Sequence, residues 1–433
     1  MDEVRGLMDF IDRAPTAFQA VAHIADALAG AGYAPLSETE RWTLAPGGRY
    51  YLTRNQSSII AFRIPEAGFA HFQIVASHCD SPAFKLKPNA ARESQGYATL
   101  NVEKYGGMLM ATWLDRPLGI AGRVIVREGG ALESRLVDCG RNLALIPNMP
   151  IHFNREVNDG FAYNAQVDML PVIGLEGADV MDAVAAATGV EKAAIAGADL
   201  FLVNNEKAVR WGANDEFIAS ARLDDLECAY ASMRALIEAA PSDHIDMMCV
   251  FDNEEVGSGT KQGADSTLLT DVMDRIAAAL GADAQVLSAA MASGFMLSAD
   301  NAHAVHPNHP EKYDAENRTR MNAGVVVKFN ANQKYTTDGV SAAVFETLCA
   351  RAGVPTQRFA NRSDIAGGGT LGHIANAHAS MNTADIGLAQ LAMHSAYESA
   401  GAEDVDSMIR AMRAFHETDI VMAADGRFEL RGN

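Results

Sequence analysis

The sequence predicts an α/β fold with a mainly parallel sheet flanked by helices and an inserted β-rich domain. Apolar runs at residues 245–251 and 324–329 alternate with helical patterns at 223–236 and 272–280. Alternating strands and helices are typical of a parallel sheet covered on both faces. Residues 88–212 instead contain short alternating apolar segments separated by Gly, Asn and Pro, which predicts a separate β-rich unit.

The N-terminal part of the chain predicts two helices followed by two strands. Apolar residues recur at mostly helical spacing over residues 8–28, and Pro15 interrupts the pattern. Apolar runs at 59–64 and 72–76 are strand-like. We expect these segments to belong to the same sheet as the C-terminal half.

The length of 433 residues is sufficient for two domains. We therefore expect one α/β domain built from residues 1–87 and 213–433. The β-rich domain at residues 88–212 would interrupt it.

Composition excludes several classes of protein. The formal net charge is -20, and no cluster of Lys and Arg is present, which argues against nucleic acid or an anionic membrane surface as a partner. No apolar run reaches the roughly 18 residues of a membrane span, and no secretion signal is visible at the N-terminus. The five cysteines are scattered without a CxxC pair, which favours a reduced, cytoplasmic setting.

Two motifs directly behind predicted strands carry acid and histidine side chains. Glu254 and Glu255 follow the run at 245–251. If Glu255 binds a metal, Glu254 stands where a general base can take a proton from a metal-bound water. His78 and Asp80 follow the run at 72–76, and a metal-binding imidazole commonly gives its second N–H to a carboxylate.

Three further motifs supply metal-binding residue types: Asp224-Asp225, Asp300 with His303 and His306, and His394. Loops at the carboxyl ends of strands in an open α/β sheet meet in one crevice, so these residues can converge. Histidines and carboxylates without cysteine suit Zn²⁺, or Mn²⁺ or Co²⁺ in the same site. The alternatives are a helix N-terminus at Asp224-Asp225 and a thiolate nucleophile at Cys79.

Ordered blocks along nearly the whole chain resemble the aspartyl aminopeptidase family. They are FID at 10–12, PT at 15–16, SHCDSP at 77–82, WLDRPL at 113–118, RLDDL at 222–226, DNEEVGS at 252–258, DNAHAVHPN at 300–308 and QLAMHS at 390–395. So many blocks in the same order make a chance match implausible.

The resemblance implies a zinc exopeptidase-like fold and a co-catalytic dizinc metalloprotease that removes N-terminal Asp or Glu from peptides. It assigns His78 and Asp300 to one zinc, Glu255 and His394 to the other, and Asp224 to the bridge between them. Asp80 would orient His78. Glu254 would be the general base, in agreement with its position beside Glu255.

The resemblance also implies how an acidic substrate residue is recognised. Lys328 and Tyr335 match substrate contacts of the family, able to give a carboxylate one charged and one neutral hydrogen bond. The alternative for Lys328 is a charge at a strand end with its stem packed on the core. At 366–369 the chain has Ala-Gly-Gly-Gly where relatives carry Pro-Cys-Gly-Thr, which predicts a looser loop and less strict Asp/Glu selection.

The resemblance further implies a homo-oligomer, a tetrahedral dodecamer built from dimers that the inserted domain helps to form. His152 matches a family histidine that reaches a neighbouring subunit's active site, where it contacts substrate or, alternatively, binds metal. Two other functions remain open at this stage. They are a dinuclear deacylase or carboxypeptidase-like amidohydrolase, and a catalytically silent assembly or binding protein, against which the retained Glu254 speaks.

Overall fold

The computed structural model describes residues 2–66, 69 and 71–432. Within them the helices are α1 (Glu3–Arg13), α2 (Ala17–Gly30), α3 (Val180–Thr188), α4 (Leu223–Glu238), α5 (Leu268–Ala279), α6 (Ala284–Ala292), α7 (Gly339–Arg351), α8 (Leu371–His378) and α9 (Ala402–Glu417). The strands are β1 (Ala34–Pro35), β2 (Arg49–Arg54), β3 (Ser58–Arg63), β4 (Phe72–His78), β5 (Ala83–Ser94), β6 (Tyr97–Tyr105), β7 (Leu118–Glu128), β8 (Ala131–Asp138), β9 (Val172–Leu175), β10 (Ile195–Asn204), β11 (Val209–Trp211), β12 (Phe217–Ser220), β13 (Ile245–Phe251), β14 (Phe295–Ala299), β15 (Ala302–His303), β16 (Val325–Phe329), β17 (Thr356–Ala360), β18 (Asn382–Gly387), β19 (Ala389–Leu391), β20 (Glu398–Gly401), β21 (Asp419–Ala424) and β22 (Arg427–Arg431).

A nine-stranded sheet forms the centre of the molecule, in the order β1-β2-β3-β13-β4-β14-β18-β16-β17. The four central strands β13, β4, β14 and β18 pair in parallel. Strands β13, β4 and β14 are buried along their whole length, as expected for strands covered on both faces. Helices α1, α2, α4, α7 and α9 pack on one face, and α5, α6 and α8 pack on the other. The predicted α/β class is confirmed.

A second sheet has the order β8-β7-β10-β5-β6-β9 and is antiparallel. Its strands lie between Ala83 and Asn204, whereas the β-rich pattern suggested residues 88–212. Strand β11, at the end of that range, pairs with β12 in a third sheet of order β11-β12-β20-β19-β15. The division of the chain into domains stays a prediction.

The predicted helices and strands are present, with shifted limits. Pro15 separates α1 from α2 as expected. The helix predicted at 272–280 corresponds to α5, which begins at Leu268 and ends at Ala279. None of the helices among the described residues is long and apolar enough to cross a membrane.

Replacing Phe415 with alanine should destabilise the packing of α9 on the central sheet. The Phe415 side chain is fully buried, and its ring centre lies 5.9 Å from that of Phe295 in β14. Loss of such a ring costs about 3–5 kcal/mol of unfolding free energy. Urea unfolding followed by circular dichroism measures this loss. Leu132→Ala at an exposed position of β8 is the matched control, and equal losses in the two variants would contradict the assigned packing.

Candidate metal centre

The carboxyl ends of three adjacent strands converge at one edge of the central sheet. His78 ends β4 and pairs in register with Phe251 at the end of β13. Ala76 in β4 pairs with Ser298 in β14, so Asp300 lies beside His78 just beyond the end of β14. Glu254 begins the short 3-10 turn that follows β13. The sheet therefore brings together residues that lie far apart in the sequence.

Asp224 is the centre of the cluster. Its Oδ1 lies 3.6 Å from Nε2 of His78, and its Oδ2 lies 3.4 Å from Nε2 of His394. Nε2 of His394 is also 3.3 Å from Oε1 of Glu255. Ligand atoms of His78, Asp224 and Glu255 all lie within 4.8 Å of one another. Each oxygen of one carboxylate thus faces a different imidazole.

The chain around Asp224 is not a regular helix start, although α4 is assigned from Leu223. The backbone angles of Asp224 and Asp225 are non-helical, and the peptide bond between them is cis. Oε2 of Glu398 accepts a hydrogen bond from the Asp224 N–H at 3.0 Å, and Oδ2 of Asp225 accepts one from the His78 N–H at 3.2 Å. The pair of acids therefore points into the cluster and does not act as a helix cap.

Both imidazoles are oriented through their second ring nitrogen. Nδ1 of His78 lies 3.1 Å from the Asp80 carbonyl oxygen and 3.4 Å from Oδ1 of the same residue. Nδ1 of His394 contacts the carbonyl oxygen of Gly107. These contacts leave both Nε2 atoms facing Asp224, the arrangement typical of metal-binding histidines.

Asp80 also holds the two glutamates in place. Its Oδ1 accepts the N–H of Glu254 and its Oδ2 the N–H of Glu255, both at 3.1 Å. The Tyr105 hydroxyl at the end of β6 donates to Oδ2 at 2.7 Å. The neighbouring Gly106 has a φ of +75°, and a Cβ there would lie 3.2 Å from Cβ of Glu255. The second sheet therefore contributes a close wall of the site.

The site fits divalent cations. Oδ1 of Asp224 and Oε1 of Glu255 are buried and have no hydrogen-bond partner in the part of the chain that the structure describes. Burial and the charge of Asp224 raise the pKa of Glu255 well above its usual value, whereas the two imidazoles outweigh burial and lower that of Asp224. Buried carboxylates in such number require bound cations or protons.

Glu254 is surrounded by the same charges. Burial raises its pKa to about 8, with further contributions from Asp300, Asp80 and Asp224 that oppose the positive charge of His78. Cations bound at the cluster would lower this value. A carboxylate in this setting can both accept and return a proton near neutral pH.

Of the three predicted substrate residues, Lys328 and Tyr335 lie beside Asp300, and His152 lies apart from the cluster. Lys328 is 1% exposed, and its Nζ donates to the Asp300 carbonyl oxygen at 2.6 Å. Its Nζ lies 5.2 Å from the centre of the Tyr335 ring. His152 is exposed in the segment between β8 and β9, and no hydrogen bond or ion pair joins it to the cluster within the described residues.

Two of the candidate histidines do not join the cluster. The ring of His303 packs against Phe359 and that of His306 against His309. Sequence reasoning missed Glu398 and the supporting role of Tyr105. In the sequence, Glu398 lies near the motif at 390–395 and Tyr105 lies near the motif at 113–118. This proximity does not indicate where either side chain points.

Comparisons with known proteins agree with the geometry. Residues 10–416 match the family model described as aminopeptidase I zinc metalloprotease (M18). A probable M18 family aminopeptidase 2 of Clostridium acetobutylicum is 44% identical over 93% of this chain and 96% of that protein. Its counterpart from Ectopseudomonas mendocina is 40% identical over 96% of this chain and 98% of that protein.

Solved structures show the same fold. The chain is similar to yeast aminopeptidase 1 (Ape1), with 30% identity, a TM-score of 0.85 and coverage of 96% of this chain and 97% of that one. It is also similar to the S. cerevisiae mApe1 dodecamer, with 30% identity, a TM-score of 0.84 and coverage of 95% of each chain. The resemblance to the aspartyl aminopeptidase family is confirmed: the chain belongs to the M18 family of zinc metallo-aminopeptidases.

Proposed function

We propose that this aminopeptidase binds two zinc ions and releases N-terminal Asp or Glu from peptides. The observation that carries the dinuclear site is Asp224, whose two oxygens face the Nε2 atoms of His78 and His394 at 3.6 and 3.4 Å. Two-metal sites need such a shared carboxylate between ions about 3.5–4 Å apart. Mn²⁺ or Co²⁺ would suit the same ligands.

The remaining ligands follow from the positions of their side chains. Glu255 lies beside His394 and would share its metal. Asp300, beside His78 at the ends of adjacent strands, would complete the other site. Asp80 accepts hydrogen bonds from the Tyr105 hydroxyl and from two backbone N–H groups, so it would orient the ligands and not bind a metal itself.

The proposed reaction is hydrolysis of the first peptide bond by an attacking water. Zinc supplies Lewis acidity, which lowers the pKa of water and polarises a carbonyl oxygen. Glu254, held by Asp80 beside the cluster, accepts the proton of the attacking water and returns it to the leaving amine.

Glu254→Gln should strongly reduce turnover while leaving metal binding intact, because the amide keeps the shape of the side chain but cannot accept the proton. General-base catalysis contributes about 10²–10⁴-fold, and we expect a loss of that order in kcat. Peptide turnover and metal content are measured on the same preparation. Glu255→Gln is the contrasting variant and should lose metal as well as activity. Full turnover by Glu254→Gln would contradict its role as base.

Acidic selectivity would come from Lys328 and Tyr335. A lysine has three N–H donors, and the Asp300 and Asn301 carbonyl oxygens accept at 2.6 and 3.4 Å. The third donor faces the Asp300 carboxylate, whose Oδ1 lies 3.6 Å from Nζ, and it would have to turn from there to a substrate carboxylate. Burial opposes its charge, but Asp300 and Tyr335 raise the pKa of Lys328, so the ammonium remains charged. The alternative remains a purely structural charge that anchors the backbone at Asp300.

Lys328→Met should reduce kcat/KM for Asp- and Glu-peptides at least about tenfold more than for Leu-peptides, because a hydrogen bond between charged groups is lost. Tyr335→Phe removes only the neutral donor and should have a smaller effect in the same direction. A structural role predicts equal losses for all peptides together with lower metal content. Such parallel losses would exclude Lys328 as the specificity residue.

Self-association is supported by an exposed apolar segment around His152. Met149, Ile151 and Phe153 are 59%, 47% and 82% exposed, and such patches mark protein interfaces. The mApe1 structure of S. cerevisiae is a dodecamer. We propose a tetrahedral dodecamer built from dimers, in which His152 enters a neighbouring active site, with substrate contact favoured over metal binding. The five free cysteines support a reducing, cytoplasmic setting.

Subunit mixing tests whether His152 acts across the interface. His152→Gln and Glu254→Gln should each be nearly inactive when expressed alone. Their co-expressed mixture should recover activity toward about a quarter of wild type, since a hybrid site can combine both native residues. The matched control is Glu254→Gln co-expressed with the double variant His152→Gln/Glu254→Gln. This mixture should recover no activity, because every site lacks Glu254. Absence of recovery in mixed oligomers would contradict action in trans.

A further inference from the structure

A second histidine and carboxylate cluster lies at the opposite edge of the central sheet. His71 precedes β4, His244 precedes β13, and Asp419 begins β21. Ile245 pairs with Phe72, so the two histidines are neighbours at the amino ends of these strands. Each strand is 7 residues long, which separates the cluster from the catalytic edge by roughly 20 Å. The aminopeptidase reaction does not use it.

The three side chains converge with distances that suit a metal. Oδ1 of Asp419 lies 3.4 Å from Nε2 of His71 and 3.5 Å from Nδ1 of His244. All three ligand atoms lie within 4.8 Å of one another. Tetrahedral zinc with bonds of about 2.0–2.1 Å separates its ligand atoms by about 3.3–3.4 Å. The observed spacing is therefore close to that of a zinc site.

The surroundings of His244 point in the same direction. Its side chain is fully buried, and its Nδ1 has no hydrogen-bond partner among the residues that the structure describes. Its other nitrogen, Nε2, lies 3.0 Å from Oδ1 of Asp246. Asp246 is itself held by Arg63, Ser242 and His416. A carboxylate that fixes the second nitrogen of an imidazole is the usual support of a metal-binding histidine.

We propose that His71, His244 and Asp419 bind a structural zinc ion that joins the C-terminal hairpin of β21 and β22 to the central sheet. Asp419 is 24% exposed on its side chain, which leaves room for a water as fourth ligand and a route of entry.

Hydrogen bonds of Gln73 also join the C-terminal hairpin to the central sheet. Nε2 of Gln73 donates to the Phe415 and Thr418 carbonyl oxygens at 2.6 and 3.0 Å, and its Oε1 accepts the Ile420 N–H at 2.9 Å. These bonds fix the end of α9 and the start of β21 against β4. A zinc ion would close a loop of more than three hundred residues between His71 and Asp419, where a cross-link restricts the unfolded chain most in theory.

The competing state of the cluster contains no metal. A proton on Nδ1 of His244 would form an ion pair with Asp246 and Asp419 in place of the metal bond. Burial opposes this charge, but the two carboxylates raise the pKa of His244 to about 9. Metal and proton thus compete for one nitrogen atom, and metal content distinguishes the two states.

Metal content of purified full-length variants tests the proposal. His71→Gln and Asp419→Asn should each bind one zinc equivalent fewer than wild type, with a lower melting temperature. Their peptidase activity should stay within about twofold of wild type. His378→Gln is the matched control because it removes a partly exposed histidine paired with Asp265 at 2.8 Å, outside both clusters. It should keep the full metal content.

A second preparation separates this site from the catalytic one. In a variant with His78→Ala and Glu255→Ala, which removes catalytic ligands, zinc should remain bound and should raise the melting temperature. Adding His71→Gln to that variant should abolish the residual zinc and the thermal shift. Two results would establish the ion-pair state and overturn the proposal. One is unchanged metal content in His71→Gln and Asp419→Asn. The other is equal zinc content in the His78→Ala/Glu255→Ala variant with and without His71→Gln.

Discussion

Buried negative charge at the carboxyl ends of β4, β13 and β14 is the constraint on which the rest of the site depends. Glu255 and Asp300 follow β13 and β14, and Asp224 and Asp225 reach the same place from the start of α4. All four side chains are withdrawn from solvent. Each uncompensated ion would cost several kcal/mol after relaxation of the protein. The two imidazoles compensate Asp224, but the pKa values of Asp225, Glu255 and Asp300 are raised. Cations at the proposed centre would compensate these acids, and their binding would then stabilise the fold.

Hydrogen bonds from surrounding residues hold the charged side chains in fixed positions. Asp80 connects three elements, since it orients His78, holds both glutamates after β13 and receives the Tyr105 hydroxyl from β6. Gly107 extends the connection to His394. The second sheet therefore contacts the proposed catalytic site directly, and its movement relative to the central sheet would displace the proposed metal ligands.

Much of the site could be predicted because short motifs follow apolar strands. His78 and Glu254 stand directly behind strands, and strand order then determines that they meet. The sequence could not predict the turn at Asp224, because the same acids favour an ordinary helix start. Nor could it reveal Glu398 or the cluster at His71, His244 and Asp419. Those contacts depend on the register of β4 with β13 and on the hairpin that returns the C-terminus to the sheet.

Zinc-edge anomalous diffraction from crystals of the zinc-loaded protein tests the central claim most directly, namely that Asp224 bridges two ions. The account predicts two peaks about 3.5–4 Å apart, one between His78 and Asp224 and the other between His394 and Glu255. A single peak at full zinc loading, or two peaks of which only one contacts Asp224, would contradict the dinuclear site.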